Sequence, residues 1–159
     1  MPDMLVKLYD LPPAAARLEV LAKQGVVIRR AGSYERHQVV AWVEAHFWPG
    51  WASECAVAFA RSPLACFVAV EEGRMLGFAC YDVTRKGFFG PTGVCPDARG
   101  RGIGTGLLVA ALEALWQEGY AYAIIGGAGP TDFYERAVGA TIIPGSVPGI
   151  YRDRIKSIK

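Results

Sequence analysis

Two arginines and four alternating glycines stand together in Arg99-Gly100-Arg101-Gly102-Ile103-Gly104-Thr105-Gly106, preceded by Val94-Cys95-Pro96. The stretch reads as the end of a strand, a loop, and the start of a long helix. The first N–H groups of a helix have no intrahelical partner and carry partial positive charge. Glycine lets a bulky anion reach those donors without meeting a Cβ, and Arg99 and Arg101 can add charge-assisted hydrogen bonds. Residues of these types in this order predict a diphosphate cradle. The spacing does not fit a dinucleotide fingerprint, which needs G-x-G-x-x-G inside a strand–helix–strand unit. No Gly-Lys-Ser/Thr follows, so a P-loop is excluded as well.

The elements that must position this loop follow from pattern. Ile103, Leu107, Leu108, Leu112, Leu115 and Trp116 form one apolar stripe of a helix over about 102–118, closed by Gly119. Upstream, 64–70 and 75–81 are apolar strands joined at Glu72-Gly73, and 87–95 is a third. Within it Pro91 cannot donate to a ladder, and Gly90 and Gly93 flank it, as a bulge or broken edge requires. Earlier come a strand at 4–9, a helix opened by Pro12-Pro13 with Leu18, Leu21 and Ala22 on one face, and a strand at 26–30. Ser33 is expected to cap a helix running to Phe47, with a further helix from Pro49-Gly50 to about Ala60. Later come a strand at 120–125, a short helix at 132–138, and strands at 141–143 and 150–152. The order is mixed α/β with an antiparallel meander.

The chain has 159 residues, which fits one domain, and 52% are hydrophobic, which argues against disorder. We expect a single domain over 1–159, with a core at 25–153 and an extra N-terminal strand and helix at 1–24. Seventeen Lys and Arg against 15 Asp and Glu leave a net charge of +2, too little to point to nucleic acid or an anionic membrane. The basic tail 152–159 reads as a solvated end. Cys55, Cys66, Cys80 and Cys95 form no CxxC pair and lie far from His37 and His46 in sequence, so they read as buried reduced thiols and no metal is expected. No signal peptide or spanning helix is visible, and a soluble, cytoplasmic protein is the expectation.

The segment Arg99-Gly100-Arg101-Gly102-Ile103-Gly104, after Val94-Cys95-Pro96, resembles the acetyl-CoA motif of the GNAT N-acetyltransferase superfamily, Arg/Gln-x-x-Gly-x-Gly/Ala. Asp132-Phe133-Tyr134, followed by Gly139-Ala140, resembles that family's second landmark. The resemblance covers residues 26–152, about four-fifths of the chain. It implies a mostly antiparallel, twisted sheet of six to seven strands flanked by helices. It also implies acetyl-CoA as cosubstrate, held by Val94, Arg99, Gly100, Arg101, Gly102, Ile103, Gly104, Thr105 and Gly106. By the same resemblance an amine attacks the thioester directly in a ternary complex, the Val94 N–H stabilises the oxyanion, and Tyr134 is the general acid.

One departure matters. Relatives often carry a glutamate a few residues before the Val-x-Pro, and this chain has Phe88-Phe89-Gly90-Pro91-Thr92-Gly93 there. An alkylammonium of pKa near 10.4 costs roughly 4.6 kcal/mol to deprotonate at pH 7, against about 1–1.4 kcal/mol for an amine near 7.7–8. A low-pKa acceptor, an amino sugar or an α-amine, is therefore favoured. The competing reading is a base at Asp82, Glu44, His46 or Asp132. The resemblance implies an acceptor side built by the two early helices and the last hairpin, which hold Trp42, Phe47, Trp48, Trp51 and Tyr151; Trp48, Trp51 and Tyr151 are the candidate acceptor contacts, on which a sugar ring or apolar side chain can stack. Two other functions stay open: a non-catalytic acyl-CoA-binding sensor, and acetylation of protein N-termini or lysines. A homodimer is compatible with the apolar share and the N-terminal segment.

Overall fold

A computed structural model describes residues 1–156; the last three residues of the basic tail lie outside the described residues. The strands are β1 (Met4–Lys7), β2 (Val27–Arg30), β3 (Cys66–Glu71), β4 (Arg74–Tyr81), β5 (Phe88–Val94), β6 (Tyr122–Ile125) and β7 (Thr141–Ile142). The helices are α1 (Ala14–Lys23), α2 (Arg36–His46), α3 (Pro49–Ala58), α4 (Ile103–Gln117) and α5 (Thr131–Val138). All seven strands form one sheet in the order β2-β3-β4-β5-β6-β1-β7, and only β5 and β6 run parallel. The mixed α/β architecture with a mostly antiparallel sheet is as the sequence implies.

The period-2 alternation of β4 divides the core. Phe78 turns to one face, against Trp42, Phe47 and Trp51 of the α2–α3 layer. Gly77 turns to the other, where a Cβ would lie 3.0 Å from Leu107 of α4. Helix α4 is therefore enclosed by the sheet beneath and by α1 above. Leu108, Val109, Ala110, Ala111 and Leu112 are all buried, so the single stripe read from sequence underestimates how much of the helix is covered. Trp116 departs from that stripe: it is 47% exposed.

The N-terminal segment is not a peripheral addition. β1 pairs antiparallel with both β6 and β7, and Met4, Val6 and Leu8 are buried. On α1 the packing face is Ala14, Leu18 and Leu21, while Ala22 is exposed. The strand expected at 150–152 does not form; Gly149–Tyr151 is a 3-10 turn, because β1 already supplies the partner that β7 needs. Ser33 does not cap α2. It begins a 3-10 turn whose Gly32 N–H donates to Glu35 Oε1 at 2.7 Å, and Glu35 also receives both Arg29 nitrogens at 2.7 and 2.8 Å.

The thiols behave differently from their spacing in the chain. All four are buried and free. Three of them gather, with the sulfurs of Cys55, Cys66 and Cys80 within 4.8 Å of one another, because β3–β4 pairing sets Cys66 opposite Cys80 and α3 packs over both. Burial pushes the Cys80 thiol well up, so it stays protonated and packs as a small hydrophobe.

Leu21→Ala should destabilise the protein by about 2–5 kcal/mol in urea unfolding, a loss that a dispensable N-terminal segment would not produce. The Arg29 guanidinium and the Gly32 amide hold the Glu35 carboxyl down at about 2. Its stabilising contribution is full above about pH 4.5 and is lost as pH falls toward 2. Glu35→Gln should therefore flatten the acid limb of the stability–pH curve between those values.

Candidate active site

β5 is paired with β4 along its length and with β6 only at its start. Phe88 faces Ile124 and Phe89 faces Ile125, and there the parallel pairing ends. At the next residue Gly90 has φ +112°, a conformation that L side chains rarely adopt, and Pro91 brings no N–H to the ladder. On the β4 side the register slips between Ala79 and Tyr81, which face Thr92 and Phe89, so β5 carries the extra residue of a bulge. The strand continues to Val94, so the expected break is a bulge rather than a turn. Gly93 answers a separate need, since a Cβ there would run into the Phe47 ring.

Beyond the bulge β5 has a free edge. Cys95 N–H donates to Leu76 O across β4, so the amide of the preceding residue, Val94, points the other way, into the gap left by β6. Its carbonyl, on the same edge, accepts from Arg99 Nε at 3.2 Å.

At the start of α4 the glycines leave backbone amides open, and the cations are arranged differently from the sequence reading. Gly102 caps α4 with φ +82°, and the first intrahelical bond of the helix is Gly106 N–H to Gly102 O. The amides of Ile103, Gly104 and Thr105 precede it and form the open donor set. Gly100 has φ +82° and open space where a Cβ would be. These residues fit an anion of diphosphate size. Gly106 belongs to the packing instead: its N–H is already bonded, and a Cβ would lie 2.6 Å from both Leu21 and Ile28. Arg101 is already paired, with both terminal nitrogens on Glu71 at 3.2 and 2.5 Å, and that pairing holds the Glu71 carboxyl below its usual range. A cation that the sequence did not single out stands nearby. Arg17 of α1 places Nη1 3.9 Å from the position of a Cβ on Gly102. Only the packing of α1 on α4 brings it there.

α5 links cradle to cleft. Phe133 lies 4.0 Å from the Cβ position of Gly104, and its neighbour Tyr134 stacks edge-on against Phe89 of β5. Tyr134 is 6% exposed, and burial pushes its phenol up to about 12. A cavity of about 730 Å³ opens along the bulge, bringing Trp48, Trp51, Tyr134 and Tyr151 to one wall system with Phe89, Gly90 and Pro91. Three aromatics named from sequence as acceptor contacts thus share a cavity with the named acid.

None of the four carboxylate or imidazole bases considered from sequence reaches that cavity. Asp82 is buried, accepting from Arg61, the Gly87 amide and the Tyr120 hydroxyl. Asp132 pairs with Arg136 on the exposed face of α5, Glu44 is exposed, and His46 is stacked on Trp42 with Nδ1 on the Trp42 carbonyl. Among the described residues the one carboxylate on the cavity wall is Glu54 of α3, with Oε1 accepting from Thr84 Oγ1 at 2.6 Å. One helical turn after Trp51, Glu54 shares a face with it, a signal the sequence did contain.

The model of the acetyltransferase (GNAT) family matches residues 31–140, more than half of the chain. Among curated proteins none matches the sequence significantly. Solved structures similar to this fold include the glucosamine N-acetyltransferase region of a fungal multi-domain β-N-acetylglucosaminidase, at 21% identity and TM-score 0.70, over 89% of this chain and 19% of that one. A GCN5-related N-acetyltransferase from Sphaerobacter thermophilus is similar at 23% identity and TM-score 0.68, over 89% of this chain and 48% of that one. A third, from Brucella melitensis in complex with acetyl-CoA, is 25% identical with TM-score 0.53, over 70% of this chain and 80% of that one. The chain thus spans about a fifth and about half the length of the first two.

The two glycines inside α4 should separate by substitution. Gly106→Leu must displace Leu21 and Ile28 and should lower the melting temperature strongly. Gly104→Ala meets only ordinary contacts, at 3.8 and 4.0 Å. It should leave the melting temperature unchanged or raise it slightly, as a calorimetric scan would record.

Proposed function

We propose, for a chain that belongs to the acetyltransferase (GNAT) family, that it moves acetyl from acetyl-CoA to the primary amine of a small molecule by direct attack, with an amino sugar or an α-amine favoured. The observation that carries this reading is the opening of β5 from β6 at Gly90, which leaves the Val94 amide unpaired toward β6 and creates the aromatic cavity beside Tyr134. The Brucella melitensis relative in complex with acetyl-CoA supports the choice of cosubstrate.

The cosubstrate supplies the activated acyl group; the residues supply place and charge. The free amides of Ile103, Gly104 and Thr105, with Arg99 and Arg17 beside them, would hold the diphosphate. The Val94 N–H would take up charge developing on the thioester oxygen. Trp48, Trp51 and Tyr151 would bound the acceptor in an apolar wall. Tyr134 would give its proton to the departing sulfur. With the phenol at about 12 and a thiol near 8.5, that transfer is uphill by roughly 5 kcal/mol, so Tyr134 assists departure rather than driving it.

Thiol release over a panel of amines tests the reading, and absence of release with every primary amine would overturn it. Tyr134→Phe should lower kcat by about 10²-fold or less while leaving cosubstrate binding intact. The buried phenol keeps its proton until about pH 12, so Tyr134 should give the pH–rate profile no alkaline limb below about pH 10. The rise in kcat/KM should instead break at the pKa of the amine used. Gly102→Val, which forces a side chain into the left-handed cap, should raise KM for acetyl-CoA by about 10-fold or more, on the order of 1.4 kcal/mol.

A further inference from the structure

The aromatic cavity does not end at Glu54. A second chamber of about 620 Å³ adjoins it, and the two share Glu54, Thr84, Tyr151 and Arg154 as a common wall. The chambers differ in chemistry. On the wall of the first, among the described residues, Arg154 is the one cationic side chain and Glu54 the one carboxylate amid tryptophans, phenylalanines and glycines. The second is lined by three guanidinium groups, Arg85, Arg152 and Arg154, against the carboxylates of Glu54 and Asp153. All three arginines are exposed, and two bond to backbone carbonyls of their own loops: Arg85 Nη1 donates to Thr84 O at 2.8 Å, and Arg152 Nε donates to Gly149 O at 3.2 Å. A guanidinium tethered by one nitrogen keeps other N–H groups for a ligand. Glu54 is fixed between the chambers by Thr84.

From this juxtaposition we infer that the acceptor is an anionic amine, whose amine lies in the aromatic cavity on the Glu54 side and whose oxyanion, a carboxylate or a phosphate, lies among Arg85, Arg152 and Arg154. The inference rests on the acetyl-transfer reading and narrows its substrate class. A planar guanidinium fork matches carboxylate and phosphate oxygens in pairs, which water or a neutral hydroxyl does not exploit to the same degree. Glu54, on the wall common to both, can pair with the ammonium end, while the excess of guanidinium groups over carboxylates in the second chamber favours the anionic end there. None of the residues of the second chamber contributes to the cradle at α4, so this chamber is distinct from the place that holds the cosubstrate.

Matched acceptors that differ only by a charge remote from the amine provide the test: glucosamine against glucosamine 6-phosphate, and glutamine α-amide, which has no carboxylate, against glutamate α-amide, which keeps the side-chain one, with thiol release followed at low ionic strength. The anionic member of at least one pair should be favoured by about 10–100-fold in kcat/KM, mainly through KM, and the pair that responds tells phosphate from carboxylate. The preference should shrink as salt is raised, fall toward one in Arg85→Gln/Arg154→Gln, and survive in part in Arg154→Lys. Calorimetric binding of the same four compounds in the presence of CoA is a second readout, with the anionic member tighter by the same factor. Neutral members used or bound as well as anionic ones, or a preference untouched in the double variant, would overturn the inference while leaving acetyl transfer standing. Absence of thiol release with every amine, alongside a persisting calorimetric preference, would overturn the transferase reading and leave the oxyanion site.

Discussion

A strand between two neighbours cannot keep both ladders through a residue with no N–H and another at φ +112°. In β5 that conflict is resolved on one side only: β4 keeps its pairing by absorbing a bulge, and β6 lets go after Phe89. The rest of the site depends on that asymmetry. The Val94 amide is free toward β6, the aromatic cavity has space to open, and α5 can bring Tyr134 to the side of Phe89. Had Gly90 and Pro91 been two ordinary β-formers, the sheet would have closed and no slot would separate its halves.

The cradle is organised by a second constraint, the placing of charge. Glu71 occupies both ends of Arg101, which makes that arginine a strut between the β3–β4 hairpin and the loop before α4 rather than a free anion receptor. That leaves the amides of Ile103, Gly104 and Thr105 as open donors, with Arg17 of α1 beside Gly102. The same helix fills the space above Gly106 with Leu21, so one element both seats α4 and sets a charge at its mouth.

Much of this was legible in the residues. The meander 64–95, the long helix after the glycine loop and a bulge or broken edge at Pro91 follow from local pattern; Tyr134, Trp48, Trp51 and Tyr151 are named singly through the family resemblance, and only the fold brings them to a common space. What escaped depends on contacts between distant segments. No local periodicity tells that Met4–Lys7 will lie between β6 and β7, and without that fact residues 150–152 look like the missing strand. Arg17 sits at an ordinary helical position, and only tertiary packing makes it a neighbour of the cradle, whereas Glu54 is traceable from its place one turn after Trp51. The gathering of Cys55, Cys66 and Cys80 has the same origin, since their spacing in the chain says nothing of β3–β4 register. Trp116 shows the converse error, an apolar residue in the right period whose side of the helix has nothing to cover it.

The position of β1 has a bearing on how the molecule is made. Met4 pairs with Ile125, about 120 residues later, so β1 must wait for that distant segment before its ladder can form. The meander around β4 and the helix α4 involve nearer partners and can assemble sooner. During synthesis, then, β1 would be without a partner until β6 emerges, and that interval is when the strand is most exposed to pairing wrongly.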